Sequence, residues 1–122
     1  MMQTLKKIVR GISFALEGLV FAFKNDQHFR INSFLSLTGT FLSLALLEGC
    51  LSLVLAFINY SILVAELFNT AIERAVDTAT LEFHPLAKAA KDVSSAAVLT
   101  TGIFALLADL IYLLPALLSA IL

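Results

Sequence analysis

Ionisable side chains are absent from three long runs of this chain, and this distribution limits the folds open to it. Residues 31–47, 50–65 and 93–108 contain no Asp, Glu, Lys, Arg or His, and each run has 16 or 17 residues. An α-helix needs about 20 apolar residues to cross a hydrocarbon core of about 30 Å. Weakly polar neighbours extend each run to that length, so the pattern predicts three transmembrane helices, over residues 31–48, 50–80 and 88–113.

The composition favours the same class of protein. Sixty per cent of the 122 residues are apolar, the mean hydropathy is +0.96 and only 14% are charged, whereas soluble domains average about 25% charged residues. A domain of this size buries about two thirds of its chain's surface, so the excess apolar residues are expected to face lipid. The chain is therefore predicted to be an all-α integral membrane protein with a single membrane domain over residues 1–122.

The remaining counts exclude several other classes. One cysteine, Cys50, rules out an internal disulfide. A net charge of −1 argues against nucleic acid as a partner, because binding to phosphate backbones needs a surplus of cations.

The first 28 residues have an amphipathic pattern. Charged and polar residues, including Lys6, Lys7 and Arg10, occupy one side of a helical projection. The other side is apolar and carries Leu5, Ile8, Val9, Ile12, Leu16, Leu19, Val20 and Phe23. This pattern predicts a helix over residues 1–28 that lies in the membrane interface.

The cations also predict the orientation. Five of the eight Lys and Arg residues precede the first span. The other three, Arg74, Lys88 and Lys91, lie between residue 72, where the membrane part of the second span ends, and the ion-free run of the third span, which begins at residue 93. None lies in the Glu48-Gly49 hairpin or after Lys91. The positive-inside rule then places the N-terminus in the cytoplasm and the C-terminus outside. We expect Pro115 to kink or end the third helix, and Asp109 to be exposed at the far interface.

The second predicted span carries polar side chains in a stripe. At 100° per residue, Glu66, Asn69, Glu73 and Asp77 fall within an arc of about 80°, and Asn59 continues the stripe deeper in the membrane. Each ionised group at membrane depth costs about 2.5–3.5 kcal/mol on insertion scales. Helix contacts are usually made by less costly residues such as Ser, Thr, Asn or Gln, so a functional role is favoured for Glu66.

Carboxylates near a membrane surface suit Mg²⁺, which prefers oxygen ligands and takes one or two carboxylates together with substrate phosphates. Glu66 and Glu73 are about 10.5 Å apart along a helix. This gap fits a metal-bound polyphosphate near Glu73 and a proton acceptor at Glu66. The chain has no Gly-rich phosphate-binding loop and no protein-kinase motifs.

Two segments carry a family resemblance. They read ELFNTAIERAVD at residues 66–77 and EFHPLAKAAKD at residues 82–92. Together they match the signature E-[LI]-x-N-[ST]-A-I-E-x-x-V-D with a downstream A-K-D, and the chain resembles the prokaryotic diacylglycerol kinase and undecaprenol kinase family.

The resemblance implies a homotrimer of three-span subunits in the bacterial plasma (inner) membrane, with active sites shared between neighbouring subunits. It implies transfer of the ATP γ-phosphate to a lipid hydroxyl, with Mg²⁺ as cofactor. The expected lipid is diacylglycerol, which gives phosphatidic acid, and undecaprenol is the alternative. The HPLAK segment at residues 84–88 leans toward undecaprenol kinases, and SSAAVL at residues 94–99 leans toward diacylglycerol kinases.

The resemblance also implies roles for individual residues. Glu66 corresponds to the catalytic base and contacts the lipid, Glu73 and Asp26 correspond to metal ligands, and Ser95 corresponds to a lipid-proximal position. The expected ATP-binding residues are Asn69, Asp77, Glu82, Phe83, His84, Lys91 and Asp92. Two positions depart from the family pattern: Asp26 replaces a Glu, and Asn32 stands where the family has Glu or His.

A non-enzymatic reading is a small ion conduit that uses the acidic stripe as its path. A conduit favours polar groups through the full depth of the membrane. Here the acids collect in the cytoplasmic half, with only Asp109 near the far side, which favours the kinase.

Overall fold

The computed structural model describes all 122 residues, and they form helices joined by short connections, without strands. The all-α expectation is confirmed. The helices are α1 (Met2–Asn25), α2 (Gln27–Leu46), α3 (Gly49–Ala79), α4 (Pro85–Ala108) and α5 (Leu114–Ile121), and a π-helical turn (Asp109–Leu113) joins α4 to α5.

Local sequence explains where the helices begin. The Asp26 carboxylate accepts a hydrogen bond from the Phe29 backbone N–H at 3.1 Å and caps the N-terminus of α2. His84 caps α4 through Nδ1, and Pro85 occupies the first helical position, where its missing N–H is tolerated. Gly49 starts α3 with a φ of 63° directly after the hairpin between α2 and α3, a conformation that suits glycine.

Helix α3 lies at the centre of the bundle and packs against α2 on one side and α4 on the other. The face of α2 that meets α3 consists of small residues, and its buried positions include Ser33, Ser36, Gly39 and Ser43. The Ser36 hydroxyl donates to the backbone carbonyl of Asn59 at 2.7 Å. Small residues let helix backbones approach closely, which is the usual way that helices associate in membranes.

Most of the surface of the fold is apolar. Only 18 of the 122 residues are buried, while large side chains such as Phe34, Phe57 and Phe104 are more than half exposed. Two helical segments, Gly49–Ala79 and Pro85–Ile121, are long and apolar enough to cross a membrane. Helix α2 is not among them, because the strongly polar residues of its first two turns, Gln27, His28, Arg30 and Asn32, lower its mean hydropathy.

The helix does not end at Pro115. We expected this residue to kink or end the helix, and the second alternative is wrong, because the helical segment continues to Ile121. Proline clashes with the carbonyl one turn earlier and removes a hydrogen bond from a regular α-helix. Here the turn immediately before Pro115 is π-helical. The wider turn changes the hydrogen-bond pattern at the point where the proline ring must be accommodated, so the helix continues.

Gly39 offers a test of the close contact between α2 and α3. A Cβ at this position would overlap the carboxamide of Asn59, which is held by hydrogen bonds to Leu55 and Asp109. We expect Gly39→Ala to lower the free energy of unfolding by about 1–3 kcal/mol. Unfolding of the purified protein in mixed detergent–SDS micelles measures this change.

Gly18→Ala is the matched control, because nothing lies within 4 Å of a Cβ at Gly18 in the exposed part of α1. Alanine favours a helix over glycine by up to about 1 kcal/mol, so this variant should be unchanged or more stable. Equal stability of the two variants would contradict the close contact at Gly39.

Candidate active site

The site is built around Glu66, a carboxylate that is only 2% exposed. Asn32 of α2 donates a hydrogen bond through Nδ2 to Glu66 Oε1. Asn69, one turn further along α3, donates through Nδ2 to Oε2 at 3.5 Å. Both carboxylate oxygens therefore face carboxamide N–H donors, which hold the group in place and offset the cost of its burial.

Asn69 connects this carboxylate to the neighbouring helix. Its Oδ1 accepts hydrogen bonds from the hydroxyls of Ser94 at 2.7 Å and Ser95 at 3.4 Å, both on α4. Its Nδ2 also lies 3.3 Å from Glu73 Oε1. The Asn69 carboxamide thus links Glu66 and Glu73 of α3 to Ser94 and Ser95 of α4.

Asp26 sits between α1 and α2 and is 8% exposed. One carboxylate oxygen caps α2, and the other accepts a hydrogen bond from the Thr70 hydroxyl of α3 at 2.8 Å. Burial alone raises the pKa of the Asp26 carboxyl. The hydrogen bonds to its oxygens and the adjacent His28 imidazole outweigh burial, so the pKa lies below its ordinary value. Asp26 is thereby held as a carboxylate at fixed distance from α3.

A cavity of about 820 Å³ lies between α2, α3 and α4. At one end it is polar and is lined by His28, Asn32, Glu66, Asn69, Glu73 and Ser95. Away from this end the lining is mainly leucine, isoleucine, valine, alanine and glycine residues, and it also includes Thr38, Asn59 and Asp109. An apolar cavity with a few convergent polar groups has the general form of a ligand-binding site.

The side chains form no group of three or more His, Cys, Asp or Glu that could hold a metal ion alone. Mg²⁺ takes most of its ligands from substrate phosphates and water, so one or two carboxylates are sufficient. Glu73 lines the cavity and has one carboxylate oxygen without a protein donor. Asp26 lies outside the cavity lining, and its two oxygens accept hydrogen bonds from the Phe29 backbone N–H and the Thr70 hydroxyl. Both residues offer carboxylate oxygens, the type of ligand that Mg²⁺ prefers.

The other residues expected at the nucleotide lie outside the cavity lining of their own chain. Lys91 forms an ion pair with Asp77, and Lys88 forms one with Asp92. Glu82, Phe83 and His84 belong to the connection between α3 and α4, where all three are exposed. The structure brings together Glu66, Asn69, Glu73 and Ser95. It leaves the second group around the connection between α3 and α4, at the C-terminal end of α3 and the N-terminal end of α4.

Several contacts at the site were not foreseen from the sequence. Thr70 and Ser94 were not singled out, although each bonds to an expected site residue, and Asn32 was singled out without a role. The sequence did offer a signal for both: Thr70 directly follows Asn69 and Ser94 directly precedes Ser95, and Asn69 and Ser95 were expected site residues. The expectation that Asp109 is exposed at the interface is wrong, because it is half-buried and accepts a hydrogen bond from Asn59 at 2.8 Å.

Together these features define a helical membrane protein whose apolar cavity ends in a cluster of carboxylates and carboxamides. The family model for prokaryotic diacylglycerol kinase matches residues 13–113. The chain belongs to this family, as the sequence motifs indicated.

Three relatives illustrate the similarity. The chain is 37% identical to a diacylglycerol kinase of Synechocystis sp. over 119 residues, which are 96% of this chain and 68% of the relative. It is 36% identical to a diacylglycerol kinase of Helicobacter pylori over 103 residues, 81% of this chain and 78% of the relative. An undecaprenol kinase of Bacillus subtilis is 48% identical over 50 residues, 41% of each chain.

Thr70 tests whether the site depends on the attachment of Asp26 to α3. We expect Thr70→Val to lower the free energy of unfolding by about 1–3 kcal/mol, because it leaves a buried carboxylate oxygen of Asp26 without its donor. Unfolding in detergent–SDS micelles is again the measurement. Thr78→Val is the control on the same helix, since Thr78 is exposed and bonds only to the carbonyl of Arg74. A similar loss in both variants would contradict the role of Thr70.

Proposed function

We propose that this protein is a magnesium-dependent lipid kinase that transfers the γ-phosphate of ATP to the hydroxyl of diacylglycerol, giving phosphatidic acid. The observation that carries the proposal is the buried carboxylate of Glu66 at the polar end of an apolar cavity. It occurs in a chain of a lipid-kinase family, and it is the arrangement that a proton acceptor for a membrane-bound alcohol requires.

Relatives that match most of the chain favour diacylglycerol over undecaprenol as the substrate. The relatives from Synechocystis sp. and Helicobacter pylori match more than 80% of this chain and are named diacylglycerol kinases. The undecaprenol kinase of Bacillus subtilis is more similar in sequence, but over only 41% of the chain. Both lipids present a hydroxyl on an apolar body, so Glu66 could serve either one.

In the proposed reaction, Glu66 accepts the proton of the lipid hydroxyl as the oxygen attacks the γ-phosphorus of ATP and ADP leaves. Asn32 and Asn69 orient the carboxylate through its two oxygens. A lone pair of Glu66 then remains for the substrate proton. The apolar cavity wall takes up the hydrocarbon, which never has to leave the membrane. Positioning of the two substrates supplies a large part of the rate enhancement.

Glu73 and Asp26 are proposed to hold Mg²⁺ on the phosphates of ATP. When bound, the metal neutralises the charge that develops on the transferring phosphoryl group. Asn69 bonds to Glu73, and Thr70 bonds to Asp26, so each proposed ligand is held by a neighbour on α3. Ser95 lies beside Asn69 and lines the cavity next to the proposed position of the lipid headgroup.

The remaining nucleotide contacts are proposed to come from the cytoplasmic end of α4 and the connection before it. Lys91 offers a cation to the phosphates, near Asp77 and Asp92. Glu82, Phe83 and His84 are exposed and lie outside the cavity of their own chain. In a homotrimer with shared active sites, such residues can contribute to the site of a neighbouring subunit.

In the membrane, α2 is proposed as a third span beside the two apolar segments. Its 20 residues cover about 30 Å at the usual helical rise. Helix α1 is proposed to lie in the cytoplasmic interface, because most of its apolar side chains are exposed. The N-terminus is then cytoplasmic and the C-terminus outside the bacterial plasma membrane.

The reaction is tested with purified protein, Mg·ATP and detergent micelles that contain either diacylglycerol or undecaprenol. We expect phosphatidic acid as the main product. Glu66→Gln should lower kcat by about 10²–10⁴-fold, because the amide cannot accept the proton. Binding of a fluorescent ATP analogue should be retained, because Glu66 lies at the lipid end of the site.

Glu17→Gln is the control, since Glu17 is an exposed residue of α1 whose carboxylate bonds only to Ser13, and it should retain full activity. Normal turnover by Glu66→Gln would remove Glu66 from the reaction. Phosphorylation of undecaprenol alone would change the proposed substrate. Phosphorylation of neither lipid by the wild-type protein would overturn the kinase assignment and favour the ion conduit.

The orientation is tested with Cys50, the single cysteine, which is exposed in the hairpin between α2 and α3. We expect a membrane-impermeant maleimide to label Cys50 in intact spheroplasts. In Cys50→Ser protein that also carries Leu81→Cys, labelling should require permeabilisation, because Leu81 is exposed in the connection on the opposite side. The reverse pattern would place the N-terminus outside.

A further inference from the structure

Two adjacent serines of α4 face the same carboxamide from different surroundings. Ser94 is 5% exposed, and its hydroxyl donates to Asn69 Oδ1 at 2.7 Å. Ser95 lines the cavity, and its hydroxyl lies 3.4 Å from the same oxygen. The proposed reaction places Ser95 beside the lipid headgroup but gives Ser94 no role.

The two contacts with Asn69 differ in strength. A hydrogen bond from a hydroxyl to an oxygen normally spans about 2.5–3.0 Å, so the Ser94 contact is an ordinary bond and the Ser95 contact is a weak one. The Ser94 hydroxyl is also 2.9 Å from the Lys91 carbonyl one turn earlier. Ser94 is thus committed to protein acceptors, whereas the Ser95 hydroxyl makes no other hydrogen bond within the chain.

The orientation of the Asn69 carboxamide explains why it needs a donor from α4. Its Nδ2 faces the carboxylates of Glu66 at 3.5 Å and Glu73 at 3.3 Å. The carboxamide cannot be reversed, because its carbonyl oxygen would then meet two acceptors. Oδ1 therefore faces α4, and because Asn69 is only 7% exposed, leaving this oxygen unpaired would cost free energy.

Loss of the Ser94 hydroxyl would leave Ser95 as the only side-chain donor to Asn69 Oδ1. The Ser95 hydroxyl would then turn toward Asn69 to pair the buried oxygen, and its proton would no longer be available to the cavity. The short bond from Ser94 therefore has a consequence for its neighbour: it keeps the Ser95 proton free.

A free hydroxyl proton at Ser95 fits an oxygen acceptor of the lipid headgroup. A single carboxamide separates Ser95 from Glu66, so the two side chains can contact neighbouring atoms of one headgroup. Diacylglycerol carries ester carbonyl oxygens close to its hydroxyl, whereas undecaprenol carries only hydrocarbon there. A site that donates a hydrogen bond to a substrate group selects against an analogue that lacks this group.

We propose that Ser94 is a positioning residue that pairs Asn69 Oδ1 and thereby leaves the Ser95 hydroxyl free to donate to an ester carbonyl of the lipid. The two serines together then favour an acylglycerol over a polyprenol. This inference rests on the proposed lipid-kinase function and gives a reason, within the site itself, for its preferred substrate class.

The experiment compares dioleoylglycerol with its diether analogue, dioleylglycerol, in mixed micelles with Mg·ATP. The two lipids share the reacting hydroxyl and nearly the same hydrocarbon, but the diether has no carbonyl oxygen. For the wild-type protein we expect kcat/KM to be about fivefold higher for the diester, the effect of one hydrogen bond between neutral groups.

Two variants test the separate roles of the serines. In Ser95→Ala the ratio of the two kcat/KM values should fall to about one, because the donor to the ester is gone. In Ser94→Ala it should fall to about twofold or less, because Ser95 turns to Asn69. A loss of folded protein, or a misplaced Glu66, lowers kcat/KM for both lipids equally and leaves the ratio unchanged.

Ser43→Ala is the matched control, because Ser43 is also a buried helical serine but its hydroxyl bonds only to the Gly39 carbonyl of its own helix. This variant should keep the wild-type ratio.

Three results would each overturn the inference and leave the kinase assignment intact: a wild-type ratio near one, an ester preference that survives Ser95→Ala, or a wild-type ratio in Ser94→Ala. If the wild-type protein phosphorylates neither the diester nor the diether, the proposed diacylglycerol kinase function itself is overturned.

Discussion

A buried carboxylate in an apolar bundle needs hydrogen-bond donors, and the structure depends on how that need is met at Glu66. Asn32 of α2 and Asn69 of α3 each donate to one of its oxygens, and Asn69 in turn accepts from Ser94 of α4. The three helices therefore meet at one level through a single polar network. Because each member depends on the next, the network determines how α2 and α4 are rotated about α3.

The polar network at Glu66 also requires that α2 packs closely against α3. Ser33, Ser36, Gly39 and Ser43 keep the contact face of α2 narrow, so Asn32 can reach Glu66 and the Asn59 carboxamide can lie against Gly39. Small side chains on this face therefore allow the polar contacts between α2 and α3 to form.

Periodicity was a reliable guide wherever a single helix carries the information. Glu66 and Asn69 were placed on one face of a helix from their spacing, and the structure buries both against neighbouring helices. Contacts between helices were harder to predict. Asp109 was expected at the interface, but it pairs with Asn59, fifty positions away. The roles of Asn32 and Thr70 also depend on partners from other helices, whose rotation and register a single sequence does not reveal.

The sequence by itself determined the helices, their apolar surfaces and the polar stripe of α3, because these properties follow from charge distribution and helical spacing along one segment. It also carried the family motifs. Only the tertiary structure decided which polar groups became partners: Asn32 with Glu66, Thr70 with Asp26 and Asn59 with Asp109. Those pairings, and the cavity between them, depend on how closely the helices approach and how each is turned, which is settled by packing across the whole bundle.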